Sequence, residues 1–520
     1  MHIRKRAAVT STAAVAALAV LAACSGGSSS SGSADAGNGS LSVIEVGQTW
    51  PTLDPPVDAV SGFNVNYLNA IYGQLFAQTP DLKIVPELAS DYKVSDDGLN
   101  VTIDLRDGVK FQDGTPFNAA AVVANLKRSM DPKTACICAS NLGSIKDVTA
   151  PSASKVLIAL SKPDATLIQS FIGAAPNWVP SPTALKKQGE SDFGQNPVGA
   201  GPYQVVSNAA SSKLVLKRYD GYYRSGEPKL ANLTFQTVPN DQAAFAALQS
   251  GSVQMVMGVT TAEIVSQAKS QFQTTEVPGT QSYEIAFNTT KAPFNDIRAR
   301  EAIAYATDAA QIQKVAAAGS GVLTQAPNGP GGLFYTKTIG GARQYDLAKA
   351  KELVKELGGL NVNLFYGNNS SVFLNGGQAL GRQWEDAGIK VKLNPTLPAN
   401  TVTLQTTGNW ESAFTVAGGV DPDVGSGGLP TRFESGGKFS CCSDTALDAL
   451  IDKSRTTNSE SERKDFILQA YQMINDKQYA VQLFSPPSTL LSSKSVTGIS
   501  ATPNLSAGKE IVDWNQISVK

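Results

Sequence analysis

Histidine is nearly missing from this chain of 520 residues: a single one is present, His2. It precedes Arg4, Lys5 and Arg6 and an apolar run from Ala13 to Ala23, with no charge between Arg6 and Asp35, the plan of a secretory signal peptide. Loss of residues 1–23 on export takes His2 away. A mature chain without histidine hosts neither Ser-His-Asp nor Cys-His catalysis, nor a His-ligated metal. Long hydrophobic runs are also lacking: the 11 residues from Ala13 to Ala23 fall short of the roughly 20 a membrane span needs, and none later approaches it. Excess charge of one sign is lacking too. Of 43 basic and 44 acidic residues, residues 1–23 hold three basic and no acidic ones, leaving 40 against 44 and a net charge of −4. Without a basic stripe, no nucleic-acid partner is expected. Cysteine is sparse. Beyond Cys24 there are Cys136, Cys138, Cys441 and Cys442, none in the C-x₂-C spacing of zinc sites, so no metal is expected. In an oxidising compartment disulfides are expected, and four cysteines allow three pairings. A vicinal Cys441–Cys442 bridge would be strained, because adjacent Cα atoms lie about 3.8 Å apart and disulfides want about 4.4–6.8 Å.

The signal segment ends in Leu21-Ala22-Ala23-Cys24, which resembles the bacterial lipobox. The resemblance implies that Cys24 receives a diacylglyceryl group on its sulfur and becomes the mature N-terminus. At least two acyl chains suffice for anchoring, since each buried CH₂ contributes about 0.8 kcal/mol. Residues 24–40 then form a flexible tether, "CSGGSSSSGSADAGNGS", too polar and glycine-rich to fold. The expected location is extracytoplasmic, on the outer face of the bacterial cell membrane (the periplasmic side), held by lipid.

About 480 residues follow, enough for two or three domains. Short strand-type runs recur: Ser42–Val46, Val101–Leu105, Val156–Leu160, Leu214–Leu216, Leu233–Phe235, Tyr283–Phe287, Val362–Tyr366 and Ile389–Leu393. Helical signals lie between them. Asn118 can cap 119–130 and Asn240 can cap 241–250, with Gly251 as terminator; 296–318, 346–357, 378–387 and 460–477 complete the set. In the last of these, Phe466, Ala470, Tyr471 and Ile474 are spaced for one buried face. Strands alternating with helices indicate an α/β fold. The segment 86–116 departs from that alternation, and its Asp97-Gly98, Asp107-Gly108 and Asp113-Gly114 turns predict a β meander.

That segment, "DGLNVTIDLRDGVKFQDGTPFNAAAVV", resembles the signature of the extracytoplasmic solute-binding proteins of family 5, which bind peptides, nickel or oligosaccharides for ABC importers. Further blocks agree in order: Leu53-Asp54-Pro55, "VGAGPY" at 198–203, the stretches 219–223 and 226–229, "IAFNTTKAPFNDIRAREAIAYATD" at 285–308 and "YDLAKAKELVKELG" at 345–358. The resemblance implies a two-lobed, periplasmic-binding-protein-like architecture (type II, cluster C) with an extra subdomain on lobe I. Lobe I would take 41–82, 198–281 and 482–520, the subdomain 83–197, and lobe II 282–481, with the chain crossing between lobes near Tyr283–Asn288 and Ala480–Ser485. The expected function is capture of a peptide-like or oligosaccharide-like solute in an interlobe cleft that closes by hinge motion, with an ABC permease as partner, no cofactor, no catalysis and a monomeric state. The implied cleft residues are Trp50, Tyr283, Phe287, Asn288, Trp410, Gly419, Val420 and Asp421. Family members commonly place an acid for a peptide's α-amino group where Gly418 and Gly419 stand here; Asp421 supplies that charge if the loop shifts by two or three residues. The rival readings are a lipid-anchored hydrolase, such as a carboxylate-pair glycosidase, and a binding protein that senses or assists folding without transport.

Overall fold

The computed structural model describes residues 39–58, 63–368, 370–425, 427–504 and 510–520. The signal segment 1–23, Cys24 and nearly all of the tether lie outside the described residues. The part from Gly37 to Lys520 is one compact unit.

Strand Ser40–Val46 buries both faces: Leu41 and Val43 join one core and Ile44 another. Such a strand belongs inside a sheet covered on both sides. It pairs in parallel with Asn232–Val238 on one edge and Met255–Val259 on the other. Seven strands complete this first sheet, in the order Gln273–Val277, Ser488–Ser492, Met255–Val259, Ser40–Val46, Asn232–Val238, Lys213–Arg218, Tyr203–Ala209. The second sheet has six: Val322–Leu323, Ala480–Ser485, Gln281–Phe287, Ser412–Gly418, Asn361–Gly367 and Lys390–Thr396. Its central strand Gln281–Phe287 alternates in the same way. Ile285 and Phe287 pack with Phe294, Ile303 and Trp384, whereas Ala286 faces Trp410, Phe433 and Tyr471.

A four-stranded antiparallel sheet, Ala89–Val94, Asn100–Leu105, Lys155–Leu160 and Ile145–Ser152, forms the inserted part. Helix Ala119–Met130 packs on it, its N-terminus capped by the Asn118 side chain, which accepts the Ala121 N–H at 3.1 Å. The meander expected over 86–116 is shorter than the turns suggest. Only its first two strands pair, and the segment after Leu105 folds into a tight loop in which Asp113 Oδ1 accepts the Thr115 N–H at 2.9 Å. The third and fourth strands come from farther along the chain. The helix expected over 296–318 also divides, into Ile297–Ala306 and Ala309–Ala317. Thr307 donates back to the Ile303 carbonyl (2.7 Å), and Asp308 accepts the Gln311 N–H (3.1 Å) to cap the second piece. Helix Glu460–Asp476 buries a stripe of Ile467, Ala470, Tyr471 and Ile474, and Arg463 falls in register with it.

Strand order locates the two crossings between the large sheets. Residues 278–280 link Gln273–Val277 of the first to Gln281–Phe287 of the second, and Pro486-Pro487 links Ala480–Ser485 back to Ser488–Ser492. The crossings expected at Tyr283–Asn288 and Ala480–Ser485 are instead strands inside the second sheet. Pro278 and the Pro486-Pro487 pair stand at the true passages because proline, lacking an N–H, suits positions outside the ladder. Of the possible disulfides, Cys136–Cys138 is bridged, while Cys441 and Cys442 are free and buried.

Candidate functional site

In open α/β sheets ligands bind beyond the carboxyl ends of the parallel strands. In the first sheet those ends are Val46, Val238 and Val259; in the second they are Gly367, Thr396 and Gly418. A crevice of about 560 Å³ opens at one of these ends, Val259, and is lined by Val259 and Thr260 from the first sheet, Tyr283 from the second, Val372 from helix Ser371–Asp386, and Gly279 and Ser485 at the crossings. Its size suits a small solute.

Tyr283 is the aromatic wall. Its ring stacks on Phe484 (centroids 5.0 Å apart, planes within 12°) and tilts against Phe373 (5.3 Å) and Phe414 (5.6 Å). Those three phenylalanines fix its position. Burial alone pushes its hydroxyl up to about 12, so it stays protonated and able to donate at neutral pH. The crossings are packed with glycine because nothing larger fits. A Cβ on Gly279 would strike the Pro486 carbonyl, and one on Gly329 would strike Ser485 Oγ and the Gly279 carbonyl. The loop carrying Gly329 is sewn to the crossing: Gly329 N–H donates to Thr280 O (3.0 Å), Gly331 N–H to Gly279 O (2.9 Å), and Leu333 N–H to Val420 O (2.6 Å).

Charge near the site is committed internally. Arg463 donates to Asp421 Oδ1 and to Asp423 Oδ2 (3.0 Å), and Ser454 donates to Asp423 Oδ2 (2.9 Å). Burial raises the Asp423 carboxyl to about 6; Arg463 opposes the rise and Asp421 adds to it. Glu284, fully buried in the central strand, accepts from Arg432 and from Gln482 (2.7 Å). Asp241 accepts the N–H groups of Thr260 (3.0 Å) and Thr261 (2.8 Å) at the end of strand Met255–Val259.

The expected site residues divide. Tyr283 lines the crevice; the Gly419-Val420-Asp421 loop follows Gly418, which pairs with Gln281 at the same end of the second sheet, but is not among the described residues that line it. Phe287, Asn288 and Trp410 stand at the other end, where Phe287 pairs with Ser412. Strand Gln281–Phe287 runs antiparallel to Ser412–Gly418, so its six steps carry it about 20 Å away from the site. There Phe287 packs on Phe294 (4.7 Å), and the Asn288 amide donates to the carbonyls of Trp410 (3.0 Å) and Gly408 (3.3 Å), stapling a loop. Trp410 is core. Trp50 is also core: its indole N–H donates to Asn208 Oδ1 (3.0 Å), and its ring meets Tyr67 edge-on at 4.9 Å. Asp421 does not present a free carboxylate in the way the shifted-loop reading needs, since Arg463 holds it. Val420 is fully buried and packs, with Val424, into the core beneath the inserted sheet. Thr260, Val372, Gly279 and Ser485 were not expected; the Pro278-Gly279 and Pro486-Pro487 breaks between strand runs were the available signal.

The sequence profile of the bacterial extracellular solute-binding proteins, family 5, matches residues 83–439. The chain belongs to this family. The glutathione-binding protein GsiB of Salmonella typhi is 34% identical over 360 residues, 68% of each chain, and that of Escherichia coli O1:K1 / APEC is 33% identical over the same length. The solved structure of AgaA of A. tumefaciens R10 in complex with agropinic acid is 26% identical, with a TM-score of 0.76 over 93% of this chain and 99% of its own. DppA of Helicobacter pylori, in complex with the peptide STSA, matches the fold at a TM-score of 0.77 and 23% identity, covering 93% of this chain and 98% of its own. The fold is therefore the two-lobed periplasmic-binding-protein architecture, and this family 5 member captures a solute outside the cytoplasm for an ABC importer. Among the described residues no helix is long and apolar enough to cross a membrane, and no group of three or more His, Cys, Asp or Glu side chains could hold a metal ion.

Proposed function

We propose that the crevice at the two crossings between the large sheets is where this protein captures its solute, a peptide-like or oligosaccharide-like molecule. The lobes close over it by bending at residues 278–280 and 486–487. In this reading lobe I spans 41–82, 198 to the first crossing and the segment after Pro487, with 83–197 as its subdomain; lobe II is the stretch between the crossings. The monomeric protein, tethered through lipid on Cys24, presents the closed form to a membrane permease and leaves the solute chemically unchanged. The observation that carries this is the crevice's position astride both crossings, so that bending there changes its width. Its relatives supply the ligand class by analogy: one set is named for glutathione, and solved neighbours hold agropinic acid or a peptide.

The test is a thermal-shift and calorimetry screen of oligopeptides and oligosaccharides against the chain from Gly37 to Lys520. A ligand at 100 times its Kd adds about 2.7 kcal/mol to stability. Binding without turnover is expected; conversion of any bound compound contradicts the capture reading. Cys24→Ser should move the protein from the membrane fraction to the soluble one, and retention in membranes would contradict the anchor.

A further inference from the structure

The side chains around the crevice bear on which solutes it admits. Of the described residues lining it, only Lys269 and Glu276 carry formal charge, and they pair with each other at 3.2 Å with their side chains about half exposed. The buried acids Asp241, Asp421, Asp423 and Glu284 already have partners, and Glu510 accepts from the Gly258 N–H (2.8 Å) and from Ser488 Oγ. Asp241 holds the Thr260 and Thr261 N–H groups, Asp421 and Asp423 share Arg463, and Glu284 is held by Arg432 and Gln482. Each is committed for a physical reason: a buried ion without a partner is strongly disfavoured, so breaking any of these pairs to engage a ligand exposes the remaining partner to that penalty. Of the undescribed positions beyond residue 38, only Lys509 is ionisable, and its described neighbour Glu510 does not line the crevice.

What remains for a ligand is uncharged. The Tyr283 hydroxyl is raised by burial alone, with no hydrogen bond or charge among the causes, and Ser485 Oγ, set against Gly279 and Gly329, is buried without a partner. The Tyr283 ring, Val259, Val372 and Pro486 supply apolar surface to the same crevice. Hydroxyls and a ring face match hydroxyl or amide groups on a ligand with one apolar side; an ammonium or carboxylate entering here would lose its water and meet only charges already paired with each other, Lys269 and Glu276.

We propose that the crevice selects a solute without formal charge, bearing hydroxyl or amide groups beside one apolar face, and rejects free ammonium and carboxylate termini. This rests on the crevice being the capture site. Two sources share that chemistry, a neutral oligosaccharide and a peptide whose ends are blocked.

The experiment titrates matched pairs into the chain from Gly37 to Lys520 by calorimetry, at low and at high salt. The pairs are zwitterionic oligopeptides against their N-acetyl, C-amide forms, and neutral oligosaccharides against uronic-acid counterparts. The neutral member of a pair should bind about tenfold tighter or better, with a Kd nearly independent of salt. Whichever neutral class binds identifies the source. Tyr283→Phe, with its melting temperature unchanged, should weaken that binding about threefold to tenfold. Tighter binding of a charged member, weakening as salt rises, overturns the charge-neutral proposal and leaves capture standing. Absence of binding by every member, with the protein folded, overturns the capture reading and this proposal with it.

Discussion

Arg463 shows how one residue can look ordinary in a sequence and decide a site. In "SERKDFILQAYQMI" it sits in register with Ile467, Ala470, Tyr471 and Ile474, and a cation on a buried stripe demands buried acids. Asp421 and Asp423 answer that demand. Replacing Arg463 by Met leaves both carboxylates buried without their cation and should destabilise by about 3–5 kcal/mol in urea unfolding. The triple change Asp421→Asn, Asp423→Asn, Arg463→Met should recover most of that loss. The same cluster makes stability depend on pH. Asp423 titrates near 6 when folded, above the roughly 3.9 of an unfolded chain. The native state therefore binds that proton more tightly, and this group's contribution falls as pH rises from about 4 through about 6. Asp423→Asn should flatten the decline, so unfolding free energies measured across that range should drop less for the variant than for the parent. Asp444 acts in the opposite sense. Burial works against its ionisation, but hydrogen bonds from Lys477, Tyr479 and the Ala446 N–H hold it at about 2, and the stability it lends is lost as pH falls from about 4 through that value.

Elements were legible where local chemistry decides them. Asn118 and Asn240 accept the N–H three residues on, as capping residues should, and Gly251 takes a φ of 74° just past its helix. Legibility failed where a contact distant in sequence intervenes. The run from Asp296 to Ala318 reads as one helix, yet Trp384 donates to Thr307 Oγ1 (3.0 Å) and Gln383 receives the Asp308 N–H (2.9 Å), fixing the break from another helix. Asp308→Ala should cost about 1 kcal/mol by loss of the cap. The site residues failed for a related reason. The family resemblance implies Phe287, Asn288 and Trp410 as cleft residues, but only strand pairing tells which end of the sheet they occupy. At the crossing, Gly329→Ala forces a methyl against Ser485 and Gly279. It should destabilise by about 1–3 kcal/mol and weaken solute affinity, measured by denaturation and by calorimetry on the same preparation.

For the whole molecule, ordered motifs from Leu53 to Gly358 were enough to name the family and its two-lobed architecture, because those motifs are turns, caps and packing positions that the fold itself requires. The ligand was not legible in that way, since the residues that line the crevice come from strand ends and crossings brought together only by folding. Contacts between distant parts of the chain join the inserted part to the stretch 420–455. Val420 and Val424 enter the core beneath the inserted sheet, the Ala165 N–H donates to the Arg455 carbonyl (2.8 Å), and Lys162 meets Asp452 (2.8 Å). The exposed ion pair contributes at most about 1 kcal/mol, so burial of the two valines stabilises this contact more than the charges do. Val424→Asp should favour the open form, seen as a larger radius of gyration for the solute-loaded chain in small-angle scattering.

Capture in the crevice at the two crossings requires that loss of its hydroxyls weaken binding. The solute found by screening is titrated by calorimetry into the parent chain and into the double variant Tyr283→Phe, Ser485→Ala. With folding unchanged, the Kd of the variant should be at least about tenfold weaker, the sum of two lost hydrogen bonds. Equal affinity in the two proteins would contradict it.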